Sequence, residues 1–310
     1  MSNVSNQLLS GALSGFATTV CLQPFDLLKT RLQQGDGTIR SGRSASLLIS
    51  TTQDVVTASG LKGLWRGTEA SLVRNVPGVA LYMTSLTQFR TWMATSQYFA
   101  LVHQRSPPDS ANVSVLPKLT STGNLLAGAT TRVGVGLLLN PFSVLKARYE
   151  SNMYAYDSLG GAFVSIVRQG PHELLRGFLA SSLRDAPYAG LFVVFYEGIK
   201  REASYLAPPS SVSHSALIHS ISAASAGALA TMITQPFDVI KTKVQVRQED
   251  RYHGFIKTVH TIWQQRGISG YFDGASLRMS RKVLSSAIGW AAYEGILMFV
   301  KTSGLRKQHI

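Results

Sequence analysis

A nine-residue pattern occurs three times along the 310-residue chain, and this repetition restricts the fold more than any other feature. The copies are Gln23-Pro24-Phe25-Asp26-Leu27-Leu28-Lys29-Thr30-Arg31, Asn140-Pro141-Phe142-Ser143-Val144-Leu145-Lys146-Ala147-Arg148 and Gln235-Pro236-Phe237-Asp238-Val239-Ile240-Lys241-Thr242-Lys243. A second signature follows each: Gly60 then Trp65-Arg66-Gly67, Gly170 then Leu175-Arg176-Gly177, and Gly267 then Phe272-Asp273-Gly274. Proline and closing glycine stand 43, 36 and 38 positions apart, and an arginine falls seven residues beyond each closing glycine: Arg74, Arg184 and Arg281. One structural unit is therefore used three times and must bury itself against its own copies.

Each unit reads as two long helical segments around a polar middle. Residues 7–23, 122–140 and 217–235 precede the prolines, and residues 68–89, 178–199 and 275–300 follow the glycines. Each is near the ~20 residues that span a bilayer core. None is an uninterrupted apolar block, so each helix is expected to show one face to lipid and another to a wet interior. Composition agrees: 45% of residues are hydrophobic and 15% charged, against ~25% charged in ordinary soluble chains, and the mean hydropathy is +0.10. The polar middles near 53–59, 158–168 and 255–266 are expected to form short amphipathic helices on one membrane surface. Pro24, Pro141 and Pro236 are the expected kinks, tolerable in a membrane because neighbours can satisfy the freed carbonyl. Gly11 and Gly15, and Ala223 and Gly227, have the spacing that lets membrane helices approach closely.

The formal charge of +14 needs a partner, yet no basic cluster interleaved with aromatics and no nucleic-acid reader module is present. Of the 30 Lys and Arg residues, 16 lie in the 120 residues between the prolines and their closing glycines, which places those connections on the positive side of a membrane. A single cysteine, Cys21, rules out a disulfide framework and a zinc site of paired thiolates. The first basic residue is Lys29, so the opening residues resemble neither an Arg-rich transit peptide nor a secretory signal, and any address is expected within the mature sequence. No phosphate-binding loop, His-Glu-x-x-His or nucleophile elbow is found, so an enzyme is not expected.

The tripled Pro-x-Asp-x-x-Lys-x-Arg motif, with single substitutions in the second and third copies, resembles the mitochondrial carrier family from about Gly11 to Phe299. The resemblance implies an all-α membrane protein: six transmembrane helices in a threefold pseudosymmetric barrel, with three short matrix-side helices. It implies one domain over residues 1–310, with repeats at about 5–95, 118–205 and 212–302 and a flexible linker at about 97–116. It also implies the inner mitochondrial membrane, alternating access through a central cavity, and both termini on the intermembrane-space side.

Within that pattern Asp26 is expected to pair with Lys146, and Asp238 with Lys29, closing a matrix-side ring of helices. Lys241 meets Ser143 in place of an acid, leaving one possible hydrogen bond. Gln33 and Gln245 fall where the family places bracing glutamines, and the second repeat has Glu150 there. On the opposite side the gate pattern is complete only as Tyr196-Glu197-Gly198-Ile199-Lys200. Tyr293-Glu294 is followed by Leu297 instead of a base, so only Glu294 with Arg90 is left to pair. Two ion pairs against one predicts a resting bias toward the matrix-closed state, which Leu297→Lys would test. Gly67, Gly177 and Gly274 would offer helix N-termini to cardiolipin phosphates, with Arg66 and Arg176 adding charge and Asp273 weakening the third site. Cardiolipin is the one lipid expected; no metal or other cofactor is.

The family's substrate contacts lie about two turns past the closing glycines: Arg74-Asn75, Arg184-Asp185 and Arg281-Lys282. Arg184 is a forked carboxylate binder and Asp185 a counter-ion for an ammonium, so one pair can answer both ends of a zwitterion. The competing reading is that the two simply pair with neighbours. Arg74 and Arg281 could serve a gate instead, and Arg132 is either a substrate ligand or an interface cation. Leu183-Arg184-Asp185-Ala186-Pro187, Lys146-Ala147-Arg148-Tyr149-Glu150-Ser151, Ser143 and Arg132 together resemble the branch of the family that carries glycine for haem synthesis. Glycine has no side chain, so larger amino acids must be excluded by narrowing, for which Tyr82, Tyr188 and Phe192 are candidates. The alternatives are another small amino acid, a nucleotide or cofactor drawn by the charge, or a transport-inactive scaffold.

Overall fold

The computed structural model describes residues 2–35, 44–96, 120–156, 158–206 and 212–285. Among these every regular element is helical. The long segments appear as α1 (Ser2–Gln34), α3 (Thr68–Ala94), α4 (Ser121–Leu138) with α5 (Asn140–Glu150), α8 (Phe178–Leu206), α9 (Val212–Ile233) with α10 (Gln235–Val246), and a last helix that begins at 275. The three polar middles form α2 (Ser44–Ser59), α6 (Leu159–Arg168) and α11 (Phe255–Arg266), and α7 (Pro171–Leu174) is a single turn between α6 and α8. Consecutive long helices pack as neighbours, α3 on α4, α4 on α8 and α8 on α9.

No single described helix is long and apolar enough to cross a membrane, although the bent pair Thr122–Leu138 and Asn140–Glu150 is. Arg74, Asn75, Arg132, Arg184 and Asp185, which lower the average, line an interior cavity. Large apolar side chains such as Val76, Leu138, Val194, Ile221 and Ile233 lie exposed on the outer faces, the arrangement lipid requires and water penalises. The short helices fasten the matrix end: Ala162 and Ile166 of α6 pack on Val144 and Leu145 of α5, and Ile262 of α11 packs on Val239, Ile240 and Val244 of α10.

The prolines do not behave alike. α5 and α10 each carry proline in their first turn, after breaks at Leu139 and Thr234, and α4 meets α5 at 65°. By contrast α1 runs through Pro24 without a break. The reason lies in the carbonyl four residues earlier, which a proline leaves without an amide donor. In the first repeat that carbonyl is Val20, and the indole Nε1 of Trp65 donates to it at 3.0 Å. Leu175 and Phe272, at the matching positions, have no such donor.

Candidate functional site

The matrix-side ring is built from the first turns after the prolines. Lys146 Nζ stands 2.7 Å from Asp26 Oδ2, and Lys29 Nζ 2.5 Å from Asp238 Oδ2. Gln33 braces the second pair by donating to Asp238 Oδ2 at 3.0 Å. Glu150 stands 3.6 Å from Lys146 and accepts from Gln23 Nε2 at 3.0 Å and Thr30 Oγ1 at 2.9 Å. Gln245 does not brace a pair; its amide donates to the carbonyl of Arg176 at 3.3 Å. It has no pair to support, because the expected bond between Lys241 and Ser143 is not formed. Ser143 Oγ instead accepts from Arg74 Nε at 2.7 Å, since a guanidinium reaching across from α3 offers the hydroxyl a charge-assisted bond.

The ring also absorbs residues expected above it. Arg281 ion-pairs with Asp26, and Arg184 Nη1 donates to Asp238 Oδ1 at 2.8 Å. The Arg184-Asp185 pair is closed on itself: Nε and Nη2 reach the two carboxylate oxygens at 2.8 and 3.0 Å. Adjacent opposite charges in a low-dielectric cavity pair with each other. Asp185 nonetheless keeps 30% of its side chain exposed, against 1% for Asp238. Asn75 contacts Arg74 and Thr19 at 3.4 Å.

These groups line a cavity of about 290 Å³ with nine Lys and Arg side chains against four carboxylates. It continues past Arg74, Ser143 and Arg132 into spaces of about 340 and 510 Å³ that reach Arg90, Asn124 and Glu197. Arg132 is exposed to the cavity over the Tyr82 ring, 4.9 Å from its centroid. Tyr188 and Phe192 stack at 6.3 Å on the facing wall, so the three aromatics border the open volume. At the far end Arg90 hydrogen-bonds Asn124, Glu197 is exposed, and Lys200 sits 5.9 Å from the centroid of Tyr196. Tyr293 and Glu294 lie outside the described residues.

Two features escaped the sequence reading. The residue before each proline is always a side-chain amide, and each ties its helix to the turn that opens the next. Gln23 Nε2 donates to the Arg66 carbonyl at 3.0 Å, Asn140 Nδ2 to Arg176 at 3.2 Å, and Gln235 Nε2 to Asp273 at 2.9 Å. The tripled Gln, Asn, Gln was the available signal. The closing glycines, besides starting helices, admit the bracing residue of the next repeat. A Cβ on Gly67 would lie 2.8 Å from Cγ of Glu150, and one on Gly177 2.8 Å from Cγ of Gln245. Both have φ in the left-handed region, at +90° and +73°.

The cationic help expected at these helix starts is partly spent elsewhere. Arg176 is buried, donating to Glu173 at 3.1 and 3.2 Å and to the Arg247 carbonyl. Burial alone would raise the Glu173 carboxyl, but the hydrogen bond from Arg148 and the charge of Arg176 hold it below the ordinary glutamate range. Asp273 is tied to Arg266 at 2.5 Å, yet burial still raises its carboxyl.

The sequence matches the mitochondrial carrier protein family over residues 1–97, 117–205 and 212–304. It is 73% identical over 308 residues to the mitochondrial glycine transporter of Laccaria bicolor, covering 98% of this chain and all of the relative. Proteins of the same name from Coccidioides immitis and Aspergillus niger are 41% and 42% identical, over 96% and 93% of this chain and 91% and 88% of theirs.

Proposed function

This chain belongs to the mitochondrial carrier protein family, and from that premise we propose that it imports glycine across the inner mitochondrial membrane into the matrix, where glycine feeds 5-aminolevulinate and haem synthesis. The likeness to the glycine transporters over almost its whole length carries the substrate assignment. The cavity supports it chemically. Guanidinium groups at Arg184, Arg74 and Arg281 suit a carboxylate, and the partly exposed Asp185 suits an ammonium. Binding exchanges the Arg184–Asp185 contact for contacts to the two ends of the zwitterion, so little net charge separation is needed. Tyr82, Tyr188 and Phe192 narrow the passage and disfavour longer amino acids.

Alternating access follows from the ring. With Asp26–Lys146 and Asp238–Lys29 joined, the cavity is shut toward the matrix. Opening requires those pairs to separate while Arg90, Glu197, Lys200 and the residues facing them close the other side. Both termini lie in the intermembrane space, and cardiolipin headgroups dock at the helix starts of Gly67, Gly177 and Gly274, since the first backbone N–H groups of a helix lack partners within it. The test is uptake of labelled glycine by liposomes holding the purified protein. The parent takes up glycine, excess glycine but not ATP competes, and Asp185→Ala and Arg184→Ala abolish uptake. Absent glycine uptake with brisk exchange of a different metabolite would refute the substrate assignment.

A further inference from the structure

The ring has three positions and only two acids, and the third position has no acid of its own. Asp26 serves both Lys146 and Arg281, and Asp238 serves both Lys29 and Arg184. Asp185 is engaged by Arg184. Lys241 is 8% exposed, and among the described residues no acid stands within 4 Å of its ammonium and no hydrogen bond holds it; Asp185 and Asp238, the acids that act on it from farther off, are each joined to other cations. Arg74 hydrogen-bonds only neutral groups, the Ser143 hydroxyl and the Asn75 amide. Lys241, Arg74, Ser143 and Asp185 line the same stretch of cavity, common to two of its compartments. A largely buried ammonium whose nearest acids are engaged by other cations is costly, and the cost falls when a carboxylate arrives beside it.

We propose that the carboxylate of the transported amino acid completes the matrix-side ring by binding between Lys241 and Arg74, in the place that Ser143 leaves without an acid. This rests on the glycine-transport reading above. The donors suit a carboxylate. Lys241 offers an ammonium, and Arg74 retains guanidinium hydrogens not used on Ser143. The Ser143 hydroxyl accepts from Arg74, so its own proton remains free to donate. One carbon separates the two charges of an α-amino acid, so a carboxylate seated there keeps its ammonium near Asp185, the least enclosed of the three aspartates in this part of the cavity. Ser143 is then a specificity-determining residue: an acid in its place would fill the ring from within and compete with the substrate.

The experiment compares the parent with Ser143→Asp and Lys241→Gln, reading thermal unfolding midpoints and glycine uptake in liposomes. The probes are glycine, acetate for the carboxylate alone, methylamine for the ammonium alone, and chloride. Glycine and acetate are expected to raise the parent's midpoint, with methylamine and chloride ineffective. Ser143→Asp should raise the midpoint without ligand, erase the acetate shift and raise the KM for glycine about tenfold, the effect of losing one charge-assisted contact. Lys241→Gln should raise KM similarly without lowering the unliganded midpoint, because it removes a cation that holds no acid. Lys29→Gln, which breaks an existing pair, should lower it. Glycine uptake with KM unchanged within about twofold in both variants would overturn the subsite and leave the transport reading intact. Acetate protection lost in Ser143→Asp, with no glycine uptake by the parent, would keep the subsite and overturn glycine as its solute. Protection by chloride equal to that by acetate would overturn the assignment to a carboxylate.

Discussion

Replacing Asp238 by Asn tests how far the two existing ring contacts hold the matrix-closed state. Asp238 is 1% exposed and accepts from Lys29 at 2.5 Å, Gln33 at 3.0 Å and Arg184 at 2.8 Å. The side chains of Lys29 and Arg184 are themselves only 18% and 16% exposed, so solvent screens neither strongly. An asparagine keeps one acceptor but turns an N–H₂ group toward either Lys29 and Gln33 or Arg184, donor against donor, and removes the counter-charge of both cations. Removing one partner of a buried ion pair costs about 3–5 kcal/mol. At about 2 °C per kcal/mol for a chain of this size, the unfolding midpoint should fall by roughly 6–10 °C. Asp26→Asn should cost less, because Glu150 already stands 3.6 Å from Lys146 and can take over its charge. The assay is thermal unfolding of the purified carrier in one detergent, with Lys29→Met and the Lys29→Met/Asp238→Asn pair alongside. The double variant should lose less than the sum of the single losses, by at least ~1 kcal/mol. A fall below ~1 °C for Asp238→Asn, the scale of a solvated surface pair, or a larger loss for Asp26→Asn, would refute this account of the ring.

Two further outcomes follow from the geometry outside the ring. Trp65→Phe keeps the aromatic body but deprives the Val20 carbonyl of its donor. It should lower the midpoint by the equivalent of about 1 kcal/mol and speed amide hydrogen exchange near Pro24, and unchanged exchange there would contradict the role given to the indole. Glu173 has a carboxyl held below its ordinary value by Arg148 and Arg176, so its stabilisation is present above the unfolded glutamate pKa of about 4.3 and is lost as pH falls through the lower folded value. The midpoint difference between the parent and Glu173→Gln should therefore be widest near neutral pH and close in acid; a constant gap across that range would count against the assignment.

Much of this protein was legible in one dimension. The tripled proline pattern, the fixed spacing to the closing glycines and the low charge content determine an all-helical, threefold membrane architecture, because a repeat that cannot bury its own face must stack on its copies. The spacing of Asp and Lys on one helix face made a ring of ion pairs readable, and the family resemblance supplied the pairs Asp26–Lys146 and Asp238–Lys29. The partners of the remaining charges were not readable. Whether Ser143 would face Lys241 or Arg74, whether Arg184 would reach Asp185 or Asp238, and whether Arg281 would join Asp26 depend on where side chains of several ångströms converge between helices. Sequence spacing does not encode those distances. The unequal prolines make the same point: the three motifs are nearly identical locally, and an indole donated from a distant turn decides that α1 continues while α4 and α9 break. The sequence determined the positions of the charges; only the tertiary structure decided which of them are neutralised and that Lys241 is left facing the cavity.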